Sequence, residues 1–222
     1  MHKLLDKADA LVFDLDGTLI DSEPQHADAF RKAMRLLANY ELTPGDVREY
    51  NGNTCTDLAR TLAQRHGLEL DADEVAALKF EILYRDFRTK FFPGTIDFLR
   101  AWAPFRPLAI ASNSPFHFVQ RCLRDGGVEE LFDVVVTVND VRVRKPDPEM
   151  ILLTADRLGL PPERTLVFED SEPGMQAALN ANSPVVLLDN PGYHVPARRP
   201  STVPVTTWAA LTASTASKPA SC

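Results

Sequence analysis

The sequence is poor in cysteine and in long apolar runs. Its 222 residues include three cysteines, Cys55, Cys122 and Cys222, and none of them stands in the CxxC spacing of a zinc or redox motif. A scattered, odd-numbered set fits a reducing compartment better than a disulfide framework or a zinc site. No apolar run approaches the length of a membrane span, and the N-terminus carries charges where a signal peptide has its apolar segment. We therefore expect a soluble, cytoplasmic protein.

Basic residues are also in the minority. The chain has 24 Lys and Arg against 31 Asp and Glu, which gives a formal net charge of −7. This balance argues against an extended surface for nucleic acid or for an anionic membrane, although it leaves room for a local basic pocket. We therefore expect a small-molecule ligand as the partner, with no nucleic acid and no membrane, and the sequence indicates no protein partner.

Hydrophobic periodicity divides the chain into three parts. Residues 11–13, Leu-Val-Phe, form a short apolar run typical of a strand that is buried in a parallel sheet. Residues 22–90 show helical spacing with no strand pattern between the helices. From Pro93-Gly94 onwards helices and strands alternate, with helices at 94–102, 115–124, 147–158 and 172–181 and strands at 107–111, 133–138, 165–169 and 184–188.

This rhythm predicts an α/β fold, a doubly wound parallel sheet with an inserted all-helical domain. The expected domains are a core of residues 1–21 and 91–212 and a helical insert of residues 22–90. Residues 213–222 are rich in Ser, Thr and Ala with little to bury, and we expect them to form a disordered tail.

Polar residues follow the apolar runs at the ends of four predicted strands. In open α/β sheets, ligands bind beyond the carboxyl ends of the strands. The residues at these positions are Asp14, Ser112, Asn113, Lys145, Glu169 and Asp170. We therefore expect four strands to bring them to one site.

The first of these positions carries two acids one residue apart, Asp14 and Asp16, followed by Gly17. Carboxylates this close repel each other unless they share a proton or a cation, and Mg²⁺ is the natural cation. An Asp carboxylate can also act as a nucleophile. The tetrapeptide Asp-Leu-Asp-Gly alone is equally compatible with a polar turn or with part of a calcium loop.

The other positions have similar alternatives. Ser112 and Asn113 can offer a hydroxyl, an amide and backbone N–H groups to a phosphoryl oxygen, but helix capping, with Ser114, is the commoner use of such residues. Lys145 can balance the charge of a phosphate and of a carboxylate, or it can be a solvated surface lysine. Glu169-Asp170 can ligate a metal or support a ligand, or it can be an acidic turn.

Taken together, the four positions resemble the motifs of the haloacid dehalogenase superfamily. Residues 11–21, Leu-Val-Phe-Asp-Leu-Asp-Gly-Thr-Leu-Ile-Asp, resemble its first motif, hhhDxDGTLxD. Ser112-Asn113, Lys145-Pro and Glu169-Asp170-Ser171 match the other three motifs in order, so that the resemblance covers about residues 9–190. The insert resembles the helical cap of the subgroup that holds phosphoglycolate phosphatase-like and β-phosphoglucomutase-like enzymes.

This resemblance implies a Rossmann-like core and a Mg²⁺-dependent phosphatase that hydrolyses small phosphomonoesters, such as sugar phosphates, through an aspartyl-phosphate intermediate. It implies that Asp14 attacks phosphorus and that Asp16 protonates the leaving alcohol and later activates water. Phosphoryl oxygens would be bound by Ser112 and Lys145, with Asn113 beside them. The implied ligands of Mg²⁺ are Asp14, the backbone carbonyl of Asp16 and Asp170, with Glu169 as a further candidate.

In the helical insert, His26 and Lys79 are candidates for contact with the substrate. For Lys79 the plainer alternative, an exposed helix lysine, is the commoner case because lysine is mostly exposed. Specificity would also depend on insert residues such as Arg48, Asn51 and Asn53, which match no pattern.

Three functions remain to be distinguished: a phosphatase, a mutase and a binding protein without turnover. Asp16 argues against dehalogenase-like and phosphonatase-like relatives, which lack the second Asp. A β-phosphoglucomutase-like mutase would retain it and could also carry His26, but its loop Gly-x-Ser-Arg-x-x-Ser presents an Arg where this chain has Cys55. We therefore predict a phosphatase, with the mutase as the alternative. A binding protein that keeps the fold without turnover is the third possibility.

Overall fold

The structure is a computed structural model that describes residues 2–46, 54–193 and 195–215. The chain divides into two compact units. One comprises the residues up to Asp21 and those from Thr89 onwards, and the other comprises Ser22–Arg88. Arg48, Asn51 and Asn53 lie outside the described residues.

The first unit is built on a six-stranded sheet in which all paired strands are parallel, in the order β3-β2-β1-β4-β5-β6. The strands are β1 Ala10–Phe13, β2 Leu108–Ser112, β3 Val134–Thr137, β4 Thr165–Glu169, β5 Val185–Leu188 and β6 Val205–Thr206. The prediction of a doubly wound parallel sheet is confirmed.

Helices follow the strands, and helices also lie in the segment between β1 and β2. In chain order they are α1 His2–Lys7, α2 Glu23–Ala38, α3 Cys55–His66, α4 Ala72–Asp86, α5 Thr95–Trp102, α6 Phe116–Asp125, α7 Glu149–Leu158, α8 Glu172–Asn180 and α9 Trp208–Thr215. Short 3₁₀ turns at Glu129–Leu131 and Pro162–Arg164 precede β3 and β4. Within the described ranges, no helix is long and apolar enough to cross a membrane.

The two faces of the sheet are covered differently. Successive side chains of a strand point to opposite faces, so Val12 and Phe13 of β1 enter different parts of the core. Val12 belongs to an aliphatic cluster with Met150 of α7 and Met175 of α8. Phe13 stacks on Phe168 of β4 at a centroid distance of 4.8 Å and belongs to an aromatic cluster. Because β1 is fully buried between two covered faces, the residues that follow it are held firmly.

Three elements of the first unit were not expected from the sequence: α1, β6 and α9. The helix α9 extends three residues into the segment predicted as a disordered tail, residues 213–222, and residues 216–222 lie outside the described part. Burial of Trp208 and Leu211, which are 2% and 0% exposed, explains why α9 is anchored.

The second unit contains α2, α3 and α4. Capping fixes two of their starts, because the Thr54 hydroxyl accepts from the Asp57 N–H and the Asp71 carboxylate accepts from the Asp73 N–H. The positive φ of Gly67 ends α3. The apolar faces of α3 and α4 are buried at Leu58, Leu62, Val75, Ile82 and Leu83.

Candidate active site

A tight turn follows β1 and carries the two acids. The N–H groups of Leu19 and Ile20 both donate to the carbonyl of Leu15, at 2.9 and 3.0 Å. Gly17 adopts φ = +80°, and a Cβ at this position would collide with the Asp170 carboxylate. Glycine is therefore needed both for the backbone conformation and for the close approach of Asp170.

Lys145 lies at the centre of the site and is 4% exposed. Its Nζ donates to Asp14 Oδ1 at 2.8 Å, to Glu169 Oε1 at 2.6 Å and to the Ala111 carbonyl at 2.6 Å. All three donors of the ammonium group therefore have acceptors. The alternative of a solvated surface lysine is wrong, because the strand ends surround this side chain.

Asn113 holds the backbone of Lys145 from both sides. Its Oδ1 accepts from the Lys145 N–H at 3.1 Å, and its Nδ2 is 3.5 Å from the Lys145 carbonyl oxygen. The side-chain amide of Asn113 is thus occupied with positioning Lys145, and a contact with substrate through its backbone N–H stays a prediction.

Ser112, Asn113 and Ser114 do not cap the helix that follows them, so the capping alternative is wrong. The N-cap of α6 is Pro115, and the Phe116 N–H of its first turn donates to Asn139 Oδ1 at 2.8 Å. Ser112 is buried, and its Oγ accepts from the Ser114 N–H at 3.0 Å. The Ser114 hydroxyl donates to Asp16 Oδ2 at 2.6 Å, which connects this loop to the second acid.

Glu169 and Asp170 are held in different ways. Glu169 is fully buried, and its Oε2 accepts from the N–H groups of Asp170 and Ser171 and from the Ser171 hydroxyl, while Oε1 accepts from Lys145. Asp170 Oδ1 accepts from the Thr18 hydroxyl at 2.8 Å. Both oxygens of Glu169 are thus engaged by protein donors, which favours Asp170 over Glu169 as a direct metal ligand.

Asp14, Glu169 and Asp170 each offer an oxygen, and these three oxygens lie within 4.8 Å of one another. Burial raises the pKa of Asp14 well above its usual range, against the charge of Lys145, and the Glu169 and Asp16 carboxylates raise it further. Burial and the Glu169 and Asp14 carboxylates likewise raise the pKa of Asp170. Crowded oxygen donors of this kind fit Mg²⁺, because a hard cation removes the repulsion among them.

The pKa of Lys145 is set by burial and by the neighbouring carboxylates, which act in opposite directions. Burial alone lowers the pKa of a lysine, but the carboxylates of Asp14 and Glu169 outweigh it and raise the pKa of Lys145 above its ordinary value. The ammonium group therefore stays charged at neutral pH.

In the helical unit, His26 and Lys79 lie against each other. Lys79 Nζ is 2.9 Å from His26 Nδ1 and 3.9 Å from the centroid of the Phe80 ring. Lys79 is 1% exposed, so the expectation of an exposed helix lysine is wrong. Cys55 is also buried, and burial raises the pKa of its thiol to about 11 despite the opposing charge of Lys79, so this thiol carries no charge at neutral pH.

Gly174 packs so closely against the Glu169 side chain that it leaves no space for a side chain of its own. A Cβ at this position in α8 would collide with the Glu169 carboxylate. We expect Gly174→Ala to lower the free energy of unfolding by about 1–3 kcal/mol, the usual cost of overpacking. An ordinary helical Gly→Ala change instead stabilises by about 1 kcal/mol, so chemical denaturation distinguishes the two by sign. Stabilisation would contradict the close packing of Glu169 against Gly174.

Two residues that hold the turn after β1 were missed in the sequence. Asn190 Nδ2 donates to the carbonyl oxygens of Gly17 and Thr18, and Trp208 Nε1 donates to the carbonyl oxygen of Thr18. Asn190 comes shortly after the apolar run of β5, so the rule that site residues follow the carboxyl ends of the strands could have identified it. Trp208 has no comparable signal in the sequence.

A parallel sheet with acids and a buried lysine at the carboxyl ends of its central strands defines a class of α/β enzyme with an aspartate-centred site. The sequence model of the family described as haloacid dehalogenase-like hydrolase matches residues 8–182. The chain belongs to this family and is a hydrolase.

Relatives at about one-third identity are named as phosphatases. The chain is 32% identical over 180 residues to fructose-1-phosphate phosphatase YqaB of Escherichia coli K12, covering 79% of this chain and 94% of that protein. It is 34% identical over 201 residues to a phosphoglycolate phosphatase of Salmonella paratyphi A, covering 80% of each chain. The crystal structure of CbbY from Rhodobacter sphaeroides in complex with phosphate superposes with a TM-score of 0.76 at 24% identity, covering 92% of this chain and 96% of that one, which shows a shared fold.

Proposed function

We propose that this protein is a Mg²⁺-dependent phosphatase that hydrolyses small phosphomonoesters, sugar phosphates being the favoured class, through an aspartyl-phosphate intermediate. The observation that carries the proposal is the buried contact of Lys145 Nζ with Asp14 Oδ1 at 2.8 Å, beside the cluster of Asp14, Glu169 and Asp170. This arrangement holds a carboxylate in one orientation and adds fixed positive charge next to it.

In the first half of the reaction, an Asp14 carboxylate oxygen attacks phosphorus and the bond to the substrate alcohol breaks. Protonated Asp16 gives its proton to the leaving alkoxide, so that a neutral alcohol departs. The Ser112 hydroxyl donates to a phosphoryl oxygen, and the Lys145 ammonium group, which Asp14, Glu169 and the Ala111 carbonyl hold in place, balances the charge of the phosphoryl oxygens. The Ser114 hydroxyl, 2.6 Å from Asp16 Oδ2, orients this acid.

In the second half, the Asp16 carboxylate takes a proton from a water molecule, which attacks the phosphorus of the aspartyl phosphate. The bond to Asp14 breaks, inorganic phosphate is released, and Asp16 is protonated again for the next cycle. Asp14 and Asp170, with the carbonyl of Asp16, would hold Mg²⁺. The cation supplies charge neutralisation for the phosphoryl oxygens and for the crowded carboxylates.

The proposal of a hydrolase over a mutase is supported by the uncharged Cys55. A mutase must hold a sugar bisphosphate at both ends, and a bidentate Arg is the side chain best suited to the distal phosphate. With a buried neutral thiol at this position, that contact is lost and water competes better for the aspartyl phosphate.

A cytoplasmic location of the protein stays a prediction.

A set of four reactions tests both whether the protein is active and whether it is a hydrolase or a mutase. The purified protein is incubated with β-glucose 1-phosphate primed with glucose 1,6-bisphosphate, and separately with fructose 1-phosphate, phosphoglycolate and p-nitrophenyl phosphate. We expect inorganic phosphate to be released from one or more of these esters. EDTA should stop this release, and excess Mg²⁺ should restore it.

Glucose 6-phosphate is measured in the same β-glucose 1-phosphate reaction. Formation of glucose 6-phosphate faster than phosphate release would favour the mutase. Absence of turnover on every ester with Mg²⁺ present would favour a binding protein.

A further inference from the structure

The turn that carries Asp16 is held from outside by residues near the end of the chain. Asn190 Nδ2 lies 2.7 Å from the Gly17 carbonyl oxygen and 3.3 Å from the Thr18 carbonyl oxygen. Trp208 Nε1 lies 2.9 Å from the same Thr18 carbonyl oxygen. Two side chains therefore fix the carbonyl groups of Gly17 and Thr18, the two residues that follow Asp16.

Both donors are themselves immobilised. Asn190 is 4% exposed, and its backbone carbonyl accepts from the Tyr193 N–H at 3.0 Å. The Trp208 ring packs on Phe13 and Phe168, at centroid distances of 6.4 and 6.2 Å. Those rings belong to the residues just before Asp14 and Glu169, so Trp208 is attached to the strands that carry the acids.

The same turn is linked to the candidate metal ligand Asp170. Thr18, whose carbonyl is held by Asn190 and Trp208, donates its hydroxyl to Asp170 Oδ1 at 2.8 Å. A shift of the Thr18 peptide would therefore displace both the acid two residues before it and the carboxylate that its side chain holds.

We propose that Asn190 and Trp208 are positioning residues that fix the peptides of Gly17 and Thr18 and thereby hold Asp16 and Asp170 in their working geometry. This inference rests on the proposed phosphatase function. Residues that orient metal ligands or catalytic groups through one hydrogen bond commonly matter about 10–100-fold for activity or metal affinity.

The test compares Asn190→Leu, which removes the amide donors at similar size, with Trp208→Phe, which removes the indole N–H and keeps an aromatic ring. Trp102→Phe is the matched control, because Trp102 packs on Phe98, as Trp208 does, but from α5. For each protein we would measure kcat, KM, the free energy of unfolding, and Mg²⁺ affinity from the rise in melting temperature without substrate.

We expect Asn190→Leu to lower kcat by about 10–100-fold and to weaken Mg²⁺ binding by about tenfold, with KM changed by less than about threefold. Trp208→Phe should act in the same direction but less strongly, because Asn190 still donates to Thr18. Trp102→Phe should change stability while leaving kcat and Mg²⁺ affinity near those of the unchanged protein.

Lower stability with unchanged kcat and unchanged Mg²⁺ affinity in both variants would overturn the inference, because it would show a purely structural role. If Asn190→Leu does not fold, two other variants decide between a positioning role and a purely structural role. They are Trp208→Phe and Asn190→Ser, the latter of which keeps a hydrogen-bond donor. If the unchanged protein releases no phosphate, the proposed function fails, and the Mg²⁺ titrations still decide whether these residues position Asp170.

Discussion

We expect Asp14→Asn to lower phosphate release by at least about a thousandfold, because an amide cannot form the acyl phosphate. The substitution also removes one negative charge from the cluster of Asp14, Glu169 and Asp170 and so weakens Mg²⁺ binding. Asn has nearly the same shape as Asp, and its carbonyl can still accept from Lys145 Nζ. We therefore expect the variant to fold, and circular dichroism with a melting curve checks this.

Asp9→Asn is the matched control for this prediction. It makes the same chemical change just before the amino end of β1, where Asp9 accepts two hydrogen bonds from the Arg164 guanidinium at 2.6 and 2.7 Å. This ion pair is partly exposed, so its loss costs little stability, and the turnover should stay unchanged. If folded Asp14→Asn keeps more than a few per cent of the activity, Asp14 is not the nucleophile.

Lys145→Met has the second large expected effect, on turnover and on stability together. Turnover should fall by about 10²–10³-fold, with a smaller rise in KM, because the ammonium group balances charge that develops in the transition state. The same change leaves the fully buried Glu169 carboxylate without its cationic partner. Breaking a buried pair in this way costs about 3–5 kcal/mol of unfolding free energy.

A double variant separates the two effects. Lys145→Met with Glu169→Gln removes the charges of Lys145 and Glu169 and leaves that of Asp14, so we expect it to recover part of the lost unfolding free energy without recovering turnover. Lys90→Met is the control, because Lys90 pairs with Asp21 at 2.7 Å at the surface and should cost about 1 kcal/mol or less. Recovery of turnover in the double variant, or a change in KM alone, would reduce Lys145 to a structural or simple binding role.

The sequence predicted the fold and the four strand-end positions for one physical reason. A buried parallel strand is a continuous apolar run, so polar residues directly after it stand out, as Asp14 and Glu169-Asp170 do. The strands β2 to β5 were predicted to within one residue of their observed ends. By contrast, β6 has two residues, too few for a pattern, and α1 is short and rich in charge.

Interactions between distant parts of the chain could not be predicted in this way. Lys79 has the sequence context of an exposed helix lysine, and its burial depends on the packing of the helical unit. Asn139 caps α6 from another loop, and nothing near Phe116 indicates this. Trp208 follows a proline-rich segment without a strand or helix signal of its own, and its role depends on contacts with Thr18 and Phe168.

The bonds from Asn190 and Trp208 to the Thr18 region span 173 and 190 residues of sequence. During synthesis, the ribosome therefore delivers Asp14 and Asp16 long before the residues that hold their turn. Ser22–Arg88 form a contiguous unit, which can fold once its own residues have emerged, whereas β1 has to await β2 and β4. A nascent chain that ends before Trp208 lacks the indole bond to this turn, so the proposed catalytic geometry is completed only as α9 emerges.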